Sequence, residues 1–336
     1  MEKLLELEDI TLLVSSAYNR NNFTDIDLSV IDPIDNRRSL PIFTSPSESV
    51  VGPESWRMWE QFGIRSIIPV DTDISMKLNL CHSVFTEFSI EEIEQYFIKN
   101  RQQGGIYLKI YAPNGNGHFV GILETGSKLK QTYGNNIILM GGNVNSIETF
   151  TQYSKVGFDY VIVGDTDSPG EVYGFHYPIA SLLIDLVRYR ATAGVMIRKD
   201  IKVVANIDLL EDCDILKAMA LGANYVMLGK NLAKIVEAEG PIYKNDSKKN
   251  KKEEIVDKRL LLNKPSDELI GFCRPYEVRE RVELNKNILS WKWVSVDKSI
   301  KDWFNKFKEV TSFGFMITNS RNWTEFKKNV MYNLKN

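Results

Sequence analysis

Short runs rich in β-branched and aromatic residues recur along this chain, and most are followed by stretches with apolar residues spaced along one helix face. The strand-like runs are residues 41–45, 66–69, 106–111, 136–142, 160–164, 202–206, 225–229 and 269–272. Their nearly continuous apolar character fits strands covered on both faces, as in a parallel sheet. Helical spacing marks 53–62, 90–100, 119–132, 146–156, 178–193 and 213–221. Eight alternating units predict an α/β fold closed into a (β/α)8 TIM barrel; an open doubly wound sheet is the competing arrangement.

Two regions break the rhythm. Residues 244–258, KNDSKKNKKEEIVDK, form a charge-dense insert before the last predicted strand. A solvated hairpin or mobile loop is the reading for it, ahead of an anion-binding patch. Residues 279–299 carry Trp291 and Trp293 and lead into a helix at 300–310, a short strand at 313–317 and a last helix near 323–332. The whole of 1–336 reads as one barrel domain with a charged insert or flap at about 241–298.

Composition narrows the function classes. The formal charge is −2 with acids and bases interspersed, which gives no reason to expect a nucleic-acid partner. No run approaches the ~18 apolar residues of a transmembrane helix, and the acidic, amphipathic start is wrong for a secretory signal. Three scattered cysteines, Cys81, Cys213 and Cys273, fit reduced thiols and offer neither a disulfide framework nor a zinc spacing. A soluble cytoplasmic protein without a membrane partner is the expectation.

In a barrel, chemistry belongs where the βα loops meet at the C-terminal strand ends. Those ends are predicted to present Ser45, Tyr111 to Gly115 with Asn114, Gly142 and Asn143, then Gly164 through Asp167 to Gly170. Asn206 with Asp208, Gly229 with Lys230, and Gly271 with Cys273 and Arg274 follow. A glycine turn opening a helix can aim backbone N–H groups at a phosphate. Gly229-Lys230-Asn231 is the best such turn, with Lys230 as added positive charge; the plainer alternative is an ordinary strand–helix turn. Asp165, Asp167 and Asp208 suit acid–base work or a divalent ion, or serve only as turn and cap residues.

Several segments together resemble the IMP dehydrogenase/GMP reductase family: LELEDITLLVSSAYNRNNFTDIDLSV with LPIFTSPSESVVGPESWRMWEQFGIRSIIP, then NGNGHFVGILETGSKLKQTYGNNIILMGGNVNS, KVVANIDLLEDCDILKAMALGANYVMLGKNLA and SFGFMITNSRNWTEFKKN. The resemblance runs nearly the length of the chain in the same order. With no CBS-type insertion and with Asn114-Gly115, it leans toward the GMP reductase branch. It implies a TIM barrel of purine nucleotide metabolism, a purine 5′-monophosphate as ligand, NAD(P) as cofactor and a homo-oligomer. Carried over by position, Ser45, Asn206, Gly229, Lys230 and Gly271 fall on the nucleotide side, with Asn206 in place of a ribose-gripping aspartate. Asn114, Gly142, Asn143 and Gly164 fall on the cofactor side, as does Tyr111 in place of an acid.

The departures matter as much. The family's loop G-x-G-P-G-S-x-C-T-T, whose cysteine attacks the purine, is replaced here by Gly164-Asp165-Thr166-Asp167-Ser168-Pro169-Gly170-Glu171, which is shorter and has no cysteine. The family's monovalent-cation site, built on the same loop, is not carried over. Asp167 is a weak nucleophile, and Cys273 beside Arg274 is the other candidate, against a plain half-buried thiol. The two glycines after the ribose-binding position are Ile207 and Asp208 here. Three readings follow: a divergent NAD(P)-linked oxidoreductase; a catalytically silent homologue that binds nucleotide or acts as a regulatory or structural protein; or a new reaction on a related nucleotide that uses Asp165, Asp167 and Asp208.

Overall fold

The computed structural model describes residues 4–13, 25–111, 115–164, 177–192, 198, 200–207, 211–246, 251–262, 264–280 and 288–334. Eight strands form one parallel sheet: Ile42–Thr44, Ile67–Ile68, Phe85–Ser89, Ile106–Tyr111, Ile137–Val144, Tyr160–Val163, Lys202–Asn206 and Tyr225–Leu228. The eighth pairs with the first, Val226 opposite Ile42 and Leu228 opposite Thr44. A parallel bridge between Phe43 and Arg65 joins the first strand to the second, and the ring closes. This is the (β/α)8 barrel that the pattern predicted.

The number of strands agrees with the sequence reading, but the membership does not. Phe85–Ser89, FTEFS, is the third strand, and the apolar-run criterion passed over it because Glu87 and two hydroxyl residues interrupt it. Residues 269–272 are not a barrel strand. Ser266–Leu269 is a 3-10 turn, Gly271 sits at φ +90°, and Phe272–Glu280 belongs to a separate antiparallel sheet. That sheet also contains Ile242–Asp246, Lys251–Val256 and Ile288–Ser295. Each barrel strand from Ile106 onward therefore stands one place later than read. The charged insert is a hairpin, Ile242–Asp246 against Lys251–Val256, as expected.

Two apolar layers hold the barrel. Phe43, Ile67, Phe85, Met140, Tyr160, Ile162, Val204, Tyr225 and Met227 fill its interior. A larger layer lies between strands and helices, including Phe150, Leu182, Leu186, Leu216 and Phe315. The long helix Ile300–Ile317 absorbs the predicted strand at 313–317: Trp303, Phe307, Thr311, Gly314 and Phe315 recur along its buried side. Gly314 lets this helix approach Leu216, whose Cδ1 would lie 2.6 Å from a methyl group there. The last helix is Trp323–Asn329, after which Met331–Leu334 pairs antiparallel with Ile10–Leu13.

The N-terminal end of the barrel is plugged by charge. Arg65 is 2% exposed and reaches Asp32 at 2.9 Å, with Asp35 on its other nitrogen. Its guanidinium lies 5.0 Å from the Phe43 ring centre and 5.5 Å from that of Tyr160. Tyr160 and Tyr225 both donate to Asp32. Burial pushes both phenols well above their ordinary range, so they remain neutral donors. A buried cation costs several kcal/mol unless paired and hydrogen-bonded; here two carboxylates and a ring of aromatic edges and faces satisfy it.

Candidate functional site

The C-terminal mouth is built from the strand ends. Parallel pairing of Leu228 with Thr44 sets the ends of the eighth and first strands side by side, and Ser45 N–H donates to Leu228 O at 2.8 Å. Gly229 then turns the chain into the short helix Lys230–Ala233. A methyl group on Gly229 would lie 2.2 Å from the Tyr276 hydroxyl and 3.1 Å from Ser45 Cβ. Glycine at 229 is therefore required by close approach. Ser45 and the phenol of Tyr276 converge on it.

Tyr276 comes from the antiparallel sheet, and its position is firmly set. Arg274, two residues earlier and fully buried, donates to the carbonyls of Ala233, Ile235, Val236, Ala238 and Gly240. That clamps strand Phe272–Glu280 to the segment leaving the Gly229 turn. Ser49 Oγ adds a bond to Pro275 O at 2.6 Å. Tyr276 itself is 5% exposed and packs with the main core.

The other expected residues distribute as follows. Asn206 ends the seventh strand, half-buried and in register with Met227, two residues before Gly229 on the neighbouring strand. Ile207, in place of a glycine, turns its side chain into the apolar layer and is 2% exposed. Gly142 and Asn143 lie at the end of the fifth strand, where the register slips between Gly141 and Val144 and leaves Asn143 exposed. Gly164 ends the sixth strand at φ +84°, with Ile179 packed where a side chain would go. Lys230 is exposed on the first turn of its helix. Asn114, Asp165, Asp167 and Asp208 lie outside the described residues. Gly271 is in an exposed turn ahead of the small sheet, so its proposed place at a barrel-strand end is corrected.

Burial works against thiolate formation at two of the described thiols. Cys81 is buried, and burial pushes its thiol up to about 12. Burial also raises Cys213. Cys273 is 7% exposed in the antiparallel sheet, paired with Ser295, and not at the end of a barrel strand. The Arg274 guanidinium is engaged by five carbonyls, and neighbours on a strand point to opposite faces, so its donors are not spent on Cys273. Glu211, Cys213 and Asp214 place donor atoms within 4.8 Å of one another, as a metal site would. Lys217 Nζ already fills that cluster, 2.9 Å from Glu211 and 3.0 Å from Asp214.

Three residues at or below the mouth escaped the sequence reading: Tyr276, Glu87 and Lys109. Glu87 and Lys109 are direct partners on the third and fourth strands and form a buried ion pair. Their signal was present as a lone charge of opposite sign inside each of two apolar runs, FTEFS and IYLKIY.

The chain is thus a parallel α/β barrel with a glycine turn, a serine and a tyrosine gathered at the junction of its first and eighth strands. Residues 110–254, less than half of the chain, match the family model described as the IMP dehydrogenase / GMP reductase domain. An inosine-5′-monophosphate dehydrogenase of Mycobacterium leprae (strain TN) is 32% identical over 125 residues, 36% of this chain and 22% of that protein. This chain therefore matches less than a quarter of that relative's length. Among the described residues, no helix is long and apolar enough to cross a membrane.

Proposed function

We propose that this protein binds a purine nucleoside 5′-monophosphate across the C-terminal mouth of the barrel, with the phosphate on the Ser45–Gly229–Tyr276 corner. The observation that carries this reading is the convergence of the Tyr276 hydroxyl and the Ser45 side chain, at its Cβ, on a buried glycine turn that opens a helix after the eighth strand. Barrels commonly place phosphates after strands seven and eight, where backbone N–H groups and a helix start face the anion. The match of residues 110–254 to a domain model named for IMP and GMP enzymes supports the purine. Asn206, one strand away, has an amide that both donates and accepts, which suits a ribose diol.

The chemistry of this reading is binding without a covalent thiol step, in a silent or regulatory homologue. A second reading, NAD(P)-linked hydride transfer without a cysteine, draws on Asn143, exposed at the fifth strand's end beside Gly142 and across from Tyr111. Those residues would hold the nicotinamide side, and the bound cofactor would supply or accept the hydride. Titration calorimetry with IMP and GMP tests the first reading: saturable heat with either supports it, and none with either overturns it. Nicotinamide absorbance with GMP plus NADPH, or IMP plus NAD, tests the second. Turnover that survives Cys273→Ala favours non-thiol hydride transfer. Loss of turnover in that variant makes Cys273 the nucleophile and overturns both.

A further inference from the structure

Lys109 and Glu87 form a charged pair inside the barrel that the nucleotide corner does not use. Alternation along each strand fixes where they point. Phe85 and Tyr107 contact the interior cluster, so Glu87 and Lys109, two residues on, share the interior face. They stand one pleat nearer the mouth, and Tyr111 is one pleat further, at the rim. Around them the interior is apolar: Ile67, Met140 and Ile162. The side chains of Lys109 and Glu87 are 9% and 1% exposed.

Stability does not explain such a pair, because a buried ion pair roughly breaks even with, or loses to, apolar residues of the same volume. Nor is it a closed structural network. Glu87 is fully committed: one oxygen meets Lys109 and the other accepts Val70 N–H at 3.2 Å. That second bond also ties down the loop leaving the second strand. Lys109 differs from Lys77 and Lys217, whose side chains are at most 5% exposed, in how its three N–H donors are spent. Lys77 bonds Val70 O and both oxygens of Glu92. Lys217 bonds Glu211 and Asp214. Lys109 bonds Glu87 alone among the described residues.

We propose that Lys109, oriented by Glu87, is a ligand-contacting cation on the floor of the mouth, giving its remaining donors to a carbonyl oxygen of a bound heterocycle. The proposal rests on the nucleotide reading above. The third and fourth strands lie across the ring from the seventh and eighth, so Lys109 faces the end of the ligand away from the phosphate. A ring carbonyl of a 6-oxopurine and the carboxamide of a nicotinamide present the same acceptor. Glu87 acts as a positioning residue. It aims the ammonium and does not itself touch the ligand.

Acetic anhydride labelling read by peptide mass spectrometry tests this on the whole protein, alone and with IMP or NADP+. Lys77, buried and ion-paired but saturated, is the internal control. The proposal expects Lys109 to acetylate several-fold faster than Lys77 and to be protected by a nucleotide. Protection by IMP alone assigns the purine carbonyl, and protection by NADP+ alone assigns the nicotinamide. In calorimetry, the charge-neutral pair Glu87→Gln with Lys109→Met should weaken the protecting nucleotide about 10- to 100-fold, the worth of a charged hydrogen bond. Lys109→Arg should restore part of that loss. AMP, lacking the 6-oxo group, should be unmoved if the purine is the source. Lys109 as inert as Lys77 overturns the proposal. So does unchanged nucleotide affinity in the double variant, and in that case the nucleotide reading stands. If the wild type binds no nucleotide, the nucleotide reading itself falls, and the ligand named here falls with it.

Discussion

The Tyr276 hydroxyl rests against Gly229, at a distance that leaves no room for a methyl group on the glycine. The contact joins two parts of the molecule: a barrel-strand turn and an antiparallel sheet 47 residues further along the chain. Their closeness makes the corner a single unit, so changes on either side should be coupled.

Gly229→Ala should cost about 1–3 kcal/mol, the range for forced overpacking, and abolish nucleotide binding at the corner. Tyr276→Phe removes the oxygen that an added methyl group would meet first. The double variant should therefore recover most of the stability lost by Gly229→Ala. Urea denaturation of the four proteins checks this: additive losses, with no recovery, would show that the contact is not what requires glycine.

Arg65→Met leaves buried Asp32 without its cation and Asp35 with only Arg37, at 3.8 Å. The expected loss is about 3–5 kcal/mol, because an uncompensated buried charge is the costly state. Guanidinium denaturation measures it, and a loss below about 1 kcal/mol would contradict the plug described for the barrel's N-terminal end.

Arg274→Met should loosen the small sheet while sparing the barrel. Hydrogen exchange at Phe272–Glu280 should speed up, with Val161 and Val226 still protected. Arg274→Lys should not rescue it, since an ammonium has three donors and no planar fork for five carbonyls. Rescue by lysine would mean that charge matters here and geometry does not.

Lys327 gives a pH signature. Burial, then the nearby Lys202 and Arg190, lower its ammonium from 10.5 to about 8, and it donates to Ala223 O. Between these values the unfolded chain binds more protons than the folded one, so stability should rise as pH increases from about 8 to 10.5. Lys327→Met should flatten that rise relative to wild type in thermal melts across this range. An unchanged slope would show that Lys327 titrates normally in the folded protein.

The barrel was legible because most of its strands are short apolar runs separated by amphipathic stretches. Phe85–Ser89 was not, since an interior-facing Glu87 looks, in sequence, like a surface position. The run at 269–272 misled for the opposite reason: Leu269 and Phe272 are apolar because they pack on Val236, Ile242 and Val296 in a satellite core. Ser45, Asn206 and Gly229 were placed by position and pattern. Tyr276 could not be, because its approach to Gly229 depends on how a strand nearly fifty residues away is docked. Likewise, Cys273 looked activated because Arg274 is its neighbour in sequence, whereas the pleat separates adjacent side chains.

Arg274 attaches the small sheet through main-chain oxygens alone. Every amino acid carries such an oxygen, so this clamp makes no demand on the identity of Ala233, Ile235, Val236 or Ala238. Gly240 is the exception, because a methyl group there would press on Arg274 and Ser49 at 3.0 Å. The polar part of the docking is thus written in one side chain and one glycine. What limits sequence drift at Ala233, Ile235, Val236 and Ala238 is their burial in the apolar cores, not the clamp.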